Sequence, residues 1–378
     1  MLPLIFDTDQ HLTEPPDFWS DRFSKRFQDR APTFIDHPTM GPGWSWDGGK
    51  TVRAMGLVSV GSEDPRKIGR TKSYDEIDPG CYDAKKRIEV MDIDGVGACL
   101  LFASGAGFVS LLPGDDFHLE AVRIYNDAVM DWAQTGDAKR IFPAALMPNL
   151  GIEHAVAELE RVAKKGFVHY AFNQWPSGGT YPSAADEPFW SLLQETGMTM
   201  SFHGYGGGRP KSPPKDESGD EPGLRLPAVL VQEMIAALRG AGLGSTAGLA
   251  TLVLSGLLER FPTLKIGLIE TSAGWLPTFT ERLDEAYMQH RWLGGYRLDQ
   301  MPSESIKRMR VNVDREWMGL KHRDAIGVDR LMLGTDFPHI GSFYPHTRFY
   351  VELAFQGVSQ DDKERMLWSN AAGLYSVN

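Results

Sequence analysis

Acidic and histidine side chains alternate directly after the first apolar segment of the chain, residues 4–6. The residues that follow are Asp7-Thr8-Asp9-Gln10-His11. Side chains two positions apart on a strand point to the same face, so Asp7, Asp9 and His11 are expected to point together. A carboxylate and an imidazole at this spacing can bind one cation, and these donors suit zinc, iron or manganese. The Asp9-x-His11 motif therefore predicts a metal site at the end of the first strand.

Further ligand-type side chains follow later apolar segments, and they are His203 and Asp336. If those segments are strands of one barrel, His203 and Asp336 complete the metal site. Asp336 can also take a proton from metal-activated water.

Four other residues are expected to support the site. Glu14 lies just beyond His11 and can orient its imidazole, or pair with an arginine such as Arg22. His339 lies close enough to Asp336 to turn toward the site without binding the metal. His169 on the predicted fourth strand and Arg315 after the seventh are candidates for substrate binding, Arg315 by pairing with a carboxylate or alternatively with a neighbouring acid.

The elements that must position these residues repeat one pattern, a short apolar segment followed by a longer segment with helical periodicity. The apolar segments are residues 4–6, 98–102, 141–147, 167–172, 198–202, 265–269, 309–313 and 331–333. The helical segments are residues 119–135, 152–165, 188–195, 249–260, 276–289, 303–308 and 360–375, the last expected to cover the outside of the barrel. Such repeats are typical of a TIM barrel, an α/β fold whose active site lies at the C-terminal ends of the strands.

Two long segments interrupt this repeat within a single domain over residues 1–378. Residues 15–82 are too long for a connection and predict an insertion after the first strand. Residues 204–227, rich in glycine and proline, predict a flexible active-site loop, or alternatively a surface loop or dimerisation arm.

Composition limits the classes of partner. With 42% hydrophobic and 24% charged residues, the chain has enough apolar material for a large core. The net charge of -11 opposes binding to nucleic acid. Neither a signal peptide nor a stretch long enough to span a bilayer is evident, and Cys81 and Cys99 form no clustered motif. We expect a cytoplasmic protein that binds neither nucleic acid nor a membrane.

Over nearly its whole length the chain resembles the amidohydrolase superfamily, in particular the amidohydrolase family 2 branch that includes aminocarboxymuconate semialdehyde decarboxylase. The segments that carry the resemblance are Asp7-Thr8-Asp9-Gln10-His11-Leu12-Thr13-Glu14-Pro15-Pro16-Asp17, Met91-Asp92-Ile93-Asp94-Gly95-Val96, Asn126-Asp127, Glu270-Thr271-Ser272-Ala273-Gly274-Trp275-Leu276-Pro277, Gly334-Thr335-Asp336-Phe337-Pro338-His339 and Asn370-Ala371-Ala372-Gly373-Leu374-Tyr375. The resemblance implies a distorted TIM barrel with one or two divalent metals. The implied ligands are Asp9, His11, His203 and Asp336.

The chain departs from the family pattern at positions that bear on chemistry. Asp9 stands where the family usually has histidine or glutamate, which keeps a hard ligand. Glu270 stands at the end of the sixth strand, where many relatives have a histidine. It can act as a general base, bind a second metal, or accept hydrogen bonds from backbone amides of the turn at residues 271–275. The fourth strand, with His169, has no lysine, which disfavours a lysine-bridged dinuclear centre.

The resemblance implies a metal-dependent enzyme that hydrolyses, or decarboxylates, a small organic acid or amide. Metal-activated water would react, with Asp336 or Glu270 as the proton shuttle. Zinc is the expected divalent metal, and iron or manganese are alternatives. Two other functions remain open, an oxygen-activating non-haem dimetal hydroxylase and a non-catalytic metal-binding partner subunit. We expect a homo-oligomer such as a dimer, or a hetero-oligomer with a related subunit.

Overall fold

The core of the fold is a closed barrel of parallel strands. The structure, a computed structural model, describes residues 2–38, 41–46, 48, 52–54, 73–179, 181–203, 245–292 and 298–377. Its strands are β1 (Ile5–Leu12), β2 (Thr33–His37), β3 (Gly41–Ser45), β4 (Arg53–Ala54), β5 (Val96–Ala103), β6 (Ile141–Ala145), β7 (His169–Phe172), β8 (Thr199–His203), β9 (Lys265–Ile269), β10 (Arg310–Val313) and β11 (Leu331–Leu333). Within the described residues, the barrel order is β1-β11-β10-β9-β8-β7-β6-β5. Each predicted apolar segment overlaps one barrel strand, and the predicted TIM barrel is confirmed.

Helices follow most of the strands, and all but the last of them lie around the barrel. They are α1 (Ala84–Asp94), α2 (Asp116–Gly136), α3 (Ile152–Lys164), α4 (Glu187–Thr196), α5 (Ser245–Leu254), α6 (Leu257–Arg260), α7 (Leu276–His290), α8 (Pro302–Ile306), α9 (Trp317–Lys321), α10 (Arg323–Ile326), α11 (Thr347–Ala354), α12 (Gln360–Glu364) and α13 (Asn370–Tyr375). In α3, Ala155, Leu159 and Val162 are buried, as its helical periodicity predicts. No described helix is both long and apolar enough to cross a bilayer.

Helix α1 was not among the predicted helices. Its start is well marked, because the side chain of Asp83 accepts hydrogen bonds from the amides of Lys85 and Lys86. Its buried face, however, includes the charged side chains of Arg87 and Asp94 as well as apolar residues. A buried arginine and aspartate hide the apolar stripe on which sequence periodicity depends.

Strand β1 extends through the polar residues that follow the first apolar segment, to Leu12. The polar side chains are buried, and most of their polar atoms have hydrogen-bond partners. The Thr8 hydroxyl donates to the carbonyl of Leu333 at 2.9 Å, which ties β1 to β11. The pairing of β1 with β5 shifts register between Asp7 and Gln10. Because β1 runs from Ile5 to Leu12, the candidate ligands Asp9 and His11 lie within the strand.

The last helix, α13, closes the amino-terminal end of the barrel. The sequence pattern predicts that it covers the outside of the barrel, and the structure corrects this. The Thr199 hydroxyl, at the start of β8, donates to the carbonyl of Leu374 at 3.0 Å. Tyr375 packs with Phe6 and Leu100 of two barrel strands. Because an apolar plug fills this end, the opposite rim is left for the site.

The predicted insertion, residues 15–82, lies between β1 and α1, and only parts of it are described. Strands β2, β3 and β4 form a small antiparallel sheet. Trp44 is buried, and the ring of Trp46 stacks on Phe108 with 4.1 Å between centroids. The insertion therefore packs against the segment that follows β5. The predicted loop at residues 204–227 lies outside the described residues.

Candidate metal centre

Three predicted ligands meet at the C-terminal rim of the barrel. The Nε2 atom of His203, at the end of β8, lies 3.2 Å from Oδ1 of Asp9. The Nε2 atom of His11 lies 3.4 Å from the same oxygen. One ligand atom from each of these residues fits within a sphere suited to a single metal ion. The strand ends of β1 and β8 therefore bring Asp9, His11 and His203 together, as the sequence predicts.

The other predicted ligands lie on two sides of this group. Asp336 follows β11, and its Oδ1 atom lies 3.5 Å from Nε2 of His11. Glu270 follows β9, and its Oε2 atom lies 3.6 Å from Nε2 of His203. The Nδ1 atom of His339 lies 2.7 Å from Oδ1 of Asp336. All five predicted ligands and His339 thus surround one small volume.

The hydrogen bonding of His11 indicates that a cation belongs in that volume. Its Nδ1 atom lies 3.3 Å from the carbonyl of Ala103, which can only accept, so the proton is assigned to Nδ1. The lone pair of Nε2 then faces carboxylate oxygens of Asp9 and Asp336. Nε2 of His11 and Oδ2 of Asp9 are among the buried side-chain atoms of the described residues that have no hydrogen-bond partner. A buried, unpaired lone pair beside carboxylates is unfavourable, and a divalent cation with mixed nitrogen and oxygen ligands satisfies it.

The electrostatics keep this group in its ligand form. Burial raises the pKa of Asp9, but the contacts with His11 and His203 outweigh it and hold that pKa below its usual range. Burial, followed by the charge of His339, lowers the pKa of His11 to about 4. Burial lowers the pKa of His203, but Asp9 outweighs it and raises the value to about 9. A carboxylate and a neutral His11 are thus ready to bind a metal, and a cation must displace the proton of His203.

Glu270 and Asp336 differ in protonation. Burial raises the pKa of Asp336, but the charge and hydrogen bond of His339 outweigh it and leave the pKa below its usual range. For Glu270, whose side chain is one-third exposed, burial of the carboxyl group raises the pKa to about 7. Asp336 is therefore a stable anion, whereas Glu270 exchanges a proton near neutral pH.

Both of these residues have left-handed backbone. The φ angle is 53° at Glu270 and 59° at Asp336. A non-glycine residue rarely adopts this conformation, and it persists where surrounding contacts fix it. At each position the chain turns close behind a barrel strand, with the acidic side chain on the turn itself.

A buried hydrogen-bond chain fixes the end of β1. Arg87 of α1 donates from Nη1 to the side chain of Gln10 at 3.1 Å and from Nη2 to the carbonyl of His11 at 2.8 Å. Gln10 donates to Asp7 at 2.8 Å, and Asp7 accepts the amide of Thr335 at 2.9 Å. These hydrogen bonds link α1, β1 and the turn that carries Asp336. Asp7 therefore bonds within this network and does not face the candidate metal ligands, although the sequence pattern predicts that it points the same way as Asp9 and His11.

Gly334, which directly follows β11, lies close to residues of both β1 and β10. A Cβ atom at this position would lie 2.3 Å from Nδ2 of Asn312 and 2.9 Å from Cβ of Asp9. Such contacts cannot be relieved without moving Asp9 or Asn312. A side chain is therefore excluded where the turn to Asp336 begins.

The predicted roles of Glu14 and His169 are both wrong. Glu14 does not orient His11; its carboxylate accepts the amides of Gly105 and Ala106, both at 2.9 Å. The alternative partner Arg22 pairs with Asp131.

His169 is not placed to bind substrate. It is fully buried at the start of β7, where Nδ1 contacts the hydroxyl of Ser201 at 2.9 Å and Nε2 contacts the carbonyl of Phe142 at 3.0 Å. The ring of Phe102 lies against both His169 and His203, with 5.4 and 4.3 Å between centroids. An apolar ring therefore separates His169 from the ligand group.

Arg315 reaches the group from its exposed side. Its Nη1 atom lies 3.4 Å from Oδ2 of Asp336, and 38% of its side chain is exposed. The neighbouring acids Asp314 and Glu316, expected as alternative partners, bond elsewhere. Asn312 donates to Asp314 at 2.8 Å, and Glu316 accepts the amide of Gly274 at 2.9 Å.

Sequence reasoning missed two residues beside the ligands. Burial, followed by the charge of Asp9, raises the pKa of Asp314 well above its usual range. Asp314 directly follows β10, and the strand-end rule that identified His203 could also have given it a role at the site. The hydroxyl of Ser104, after β5, lies 3.1 Å from Nε2 of His339. Its contact joins two distant loops, and no sequence pattern reveals it.

Comparisons with known proteins agree with this architecture. A family model described as amidohydrolase matches residues 102–377. No curated protein matches the chain by sequence. The solved structure of an amidohydrolase from Mycobacterium avium subsp. paratuberculosis K-10 is 16% identical, with 99% of this chain and 100% of that chain covered and a TM-score of 0.73.

Two decarboxylases have similar folds. The 5-carboxyvanillate decarboxylase LigW from Sphingomonas paucimobilis is 20% identical, with full coverage of both chains and a TM-score of 0.66. A dihydroxybenzoic acid decarboxylase from Polaromonas sp. JS666, solved with bound manganese and the inhibitor 2-nitroresorcinol, is 21% identical. The alignment covers 79% of this chain and 87% of that chain, with a TM-score of 0.60. From the family match and the cluster of ligands on the barrel rim, we conclude that the chain belongs to the amidohydrolase family of metal-dependent enzymes.

Proposed function

We propose that this protein is a metal-dependent hydrolase of a small organic acid or its amide, with the cation held by Asp9, His11, His203 and Asp336. The observation that carries the proposal is the pair of buried, unpartnered atoms, Nε2 of His11 and Oδ2 of Asp9, that face the shared volume. When bound, a divalent cation there supplies a Lewis acid that polarises a substrate carbonyl and makes water more acidic.

Glu270 is the proton shuttle in this proposal, and Asp336 is a ligand. Oδ1 of Asp336 lies 2.7 Å from Nδ1 of His339 and 3.5 Å from Nε2 of His11, and its lowered pKa keeps it an anion, which suits a ligand and not a proton carrier. Glu270 is partly exposed, and its pKa of about 7 suits proton uptake from water and return to a leaving group. His339 keeps Asp336 ionised and oriented.

Arg315 is the proposed binding residue for a substrate carboxylate. Its guanidinium reaches the ligand group with a partly exposed side chain, so a substrate can replace solvent around it. A guanidinium can hold a carboxylate through two parallel hydrogen bonds. An organic acid bound in this way would present its reacting carbonyl toward Asp9 and His203.

Decarboxylation is the second candidate reaction. The observation in its favour is the full-length similarity of fold to 5-carboxyvanillate decarboxylase. In this reaction Glu270 would donate its proton to the substrate carbon that loses carbon dioxide. The comparisons give no support to the oxygen-activating hydroxylase.

Metal content and turnover test both reactions. We propose zinc as the resident metal, with manganese or iron as alternatives, and elemental analysis of protein purified without added metal measures it. Protein loaded with zinc or manganese is then incubated with an ester and amide panel, and separately with 5-carboxyvanillate and 2,6-dihydroxybenzoate. Acid release from the panel supports hydrolysis, and carbon dioxide release supports decarboxylation. Absence of bound metal, together with no metal binding on titration, would overturn the proposal.

We further propose that the chain forms a homo-oligomer. Light scattering coupled to gel filtration gives its mass directly, and the mass of a single 42.0 kDa chain would refute this point.

A further inference from the structure

The turn that carries Glu270 is held by an acidic side chain from the next barrel loop. The carboxylate of Glu316, between β10 and α9, accepts the backbone amide of Gly274 at 2.9 Å and also that of Ala273. It thereby bridges the loops that follow β9 and β10. Sequence reasoning assigned bonding of this turn to Glu270 as one alternative, and in the structure Glu316 does it.

The turn needs such a constraint because its backbone is strained. Besides Glu270, Ser272 has left-handed backbone, with φ of 56°. A non-glycine residue in this region is strained and persists only where its surroundings fix it. The indole of Trp275 donates to the carbonyl of Thr271 at 2.7 Å, which closes the turn on one side. Glu316 fixes the amides on the other side.

Two glycines make room for the Glu316 carboxylate. A Cβ atom at Gly274 would lie 2.9 Å from one carboxylate oxygen and 2.9 Å from Cβ of Met318. A Cβ atom at Gly319 would lie 2.9 Å from the other oxygen. Side chains are thus absent from both the turn after β9 and helix α9 at the place where the carboxylate lies. This steric fit is an observation separate from the hydrogen bonds, and it indicates that the surrounding backbone is shaped to hold the Glu316 carboxylate.

We propose that Glu316 is a positioning residue, which holds the strained turn at residues 270–274 so that the Glu270 carboxylate stays beside His203. The inference rests on the proposed function, in which Glu270 carries the proton. Glu316 acts through the backbone and does not touch the metal ligands. Its removal should therefore impair proton transfer while the metal site remains intact.

Asp186 provides a matched control. Its carboxylate accepts the amides of Ser177 and Ser183, at 2.6 and 2.7 Å, in the loop after β7. This loop carries no proposed site residue. Asp186→Asn and Glu316→Gln each remove one strong acceptor from a loop clamp, so both should weaken folding. Only the change at Glu316 should affect Glu270.

The first experiment measures amide hydrogen exchange of the metal-loaded protein. In Glu316→Ala and Glu316→Gln, the amides of Ala273 and Gly274 should exchange at least about tenfold faster, because their acceptor is lost or weakened. In Asp186→Asn their exchange should match the wild type. Unchanged exchange in both Glu316 variants would overturn the inference, whatever reaction the enzyme performs.

The second experiment couples Glu316 to Glu270. With zinc-loaded enzyme and 4-nitrophenyl acetate as the probe ester, Glu316→Ala should lower kcat about 10- to 100-fold, since a displacement near 1 Å costs about that much. KM and zinc affinity should change less than about threefold. The double variant Glu316→Ala/Glu270→Gln should have the same kcat as Glu270→Gln alone, because Glu316 acts only through Glu270.

The outcomes separate the two proposals. If Glu270→Gln abolishes turnover but Glu316→Ala and Glu316→Gln keep it, the positioning role is wrong and the proposed function stands. If Glu270→Gln leaves turnover unchanged, the role of Glu270 in the proposed function fails, and hydrogen exchange alone decides whether Glu316 holds the turn. Additive losses in the double variant would show that Glu316 acts independently of Glu270, which contradicts the inference.

Discussion

Replacing His203 by alanine should remove most of the stabilisation that a bound metal gives the protein. A ligand present at about 100 times its Kd stabilises the native state by about 2.7 kcal/mol. At about 2.1 cal/mol/K of unfolding entropy per residue, a chain of 378 residues changes Tm by about 1.3 °C per kcal/mol. Zinc or manganese should therefore raise the Tm of the wild type by about 3 °C.

The structure sets the size of the loss. The Nε2 atom of His203 lies 3.2 Å from Oδ1 of Asp9, and His203 is the candidate metal ligand that β8 supplies. Changes beyond the direct ligands of a metal cost about 10- to 100-fold in affinity, so loss of a direct ligand should cost at least about 100-fold. At the same metal concentration the stabilisation falls to about 0.4 kcal/mol. The rise in Tm should then be below about 1 °C.

Differential scanning calorimetry with and without metal measures this difference. His290→Ala is the control, because His290 is exposed at the end of α7, away from the rim. This variant should keep the full rise of about 3 °C. If His203→Ala and the wild type show equal rises, the metal binds elsewhere and the proposed ligand set is wrong.

Three further predictions follow from buried groups around the site. Burial raises the pKa of Glu14 from its ordinary value of 4.5 to about 7, so the native state binds the extra proton and stability falls as pH rises between these values. Glu14→Gln should remove up to about 3 kcal/mol of that fall, measured by urea unfolding at pH 5 and 7.5; parallel profiles for the two proteins would contradict this. Arg87→Met should destabilise the protein by about 3–5 kcal/mol in the same assay, since it strands the carbonyls of His11 and Gly80; a loss below about 1 kcal/mol would mean that these acceptors find other partners. Gly334→Ala should weaken zinc binding at least about tenfold in a competitive chelator titration, because its Cβ displaces Asp9 or Asn312, and an unchanged Kd would show that the turn relaxes without cost.

The strand-end rule predicted much of the ligand group from sequence. Parallel strands bring their C-terminal ends to one rim, so residues after apolar segments converge there even when they are far apart in the chain. His203 and Asp336 were found in this way, whereas Glu270 was identified through the family resemblance, and Asp314 follows the strand-end rule as well. The fold was predictable for the same reason, since the alternation of apolar and helical segments is local.

Contacts that depend on register between strands were not predictable. Glu14 was expected to face His11, but Nδ1 of His11 meets the carbonyl of Ala103 on the neighbouring strand β5. Which residue of β5 lies opposite His11 depends on a register shift within β1. The same limit applies to His169, because sequence gives its strand but not its depth in the barrel. Glu14 instead bonds the loop after β5, and neither contact has a local sequence signature.

The left-handed backbone at Glu270 restricts which residues evolution or engineering can place there. Valine, isoleucine and threonine are poorly tolerated at positive φ, whereas asparagine, aspartate, glycine and histidine are the residues most often accepted. Histidine, which the family resemblance places after the strand equivalent to β9 in many relatives, is thus compatible with the existing turn. A single Glu270→His substitution would exchange a carboxylate for an imidazole, so the two candidate proton-transfer groups differ by one residue.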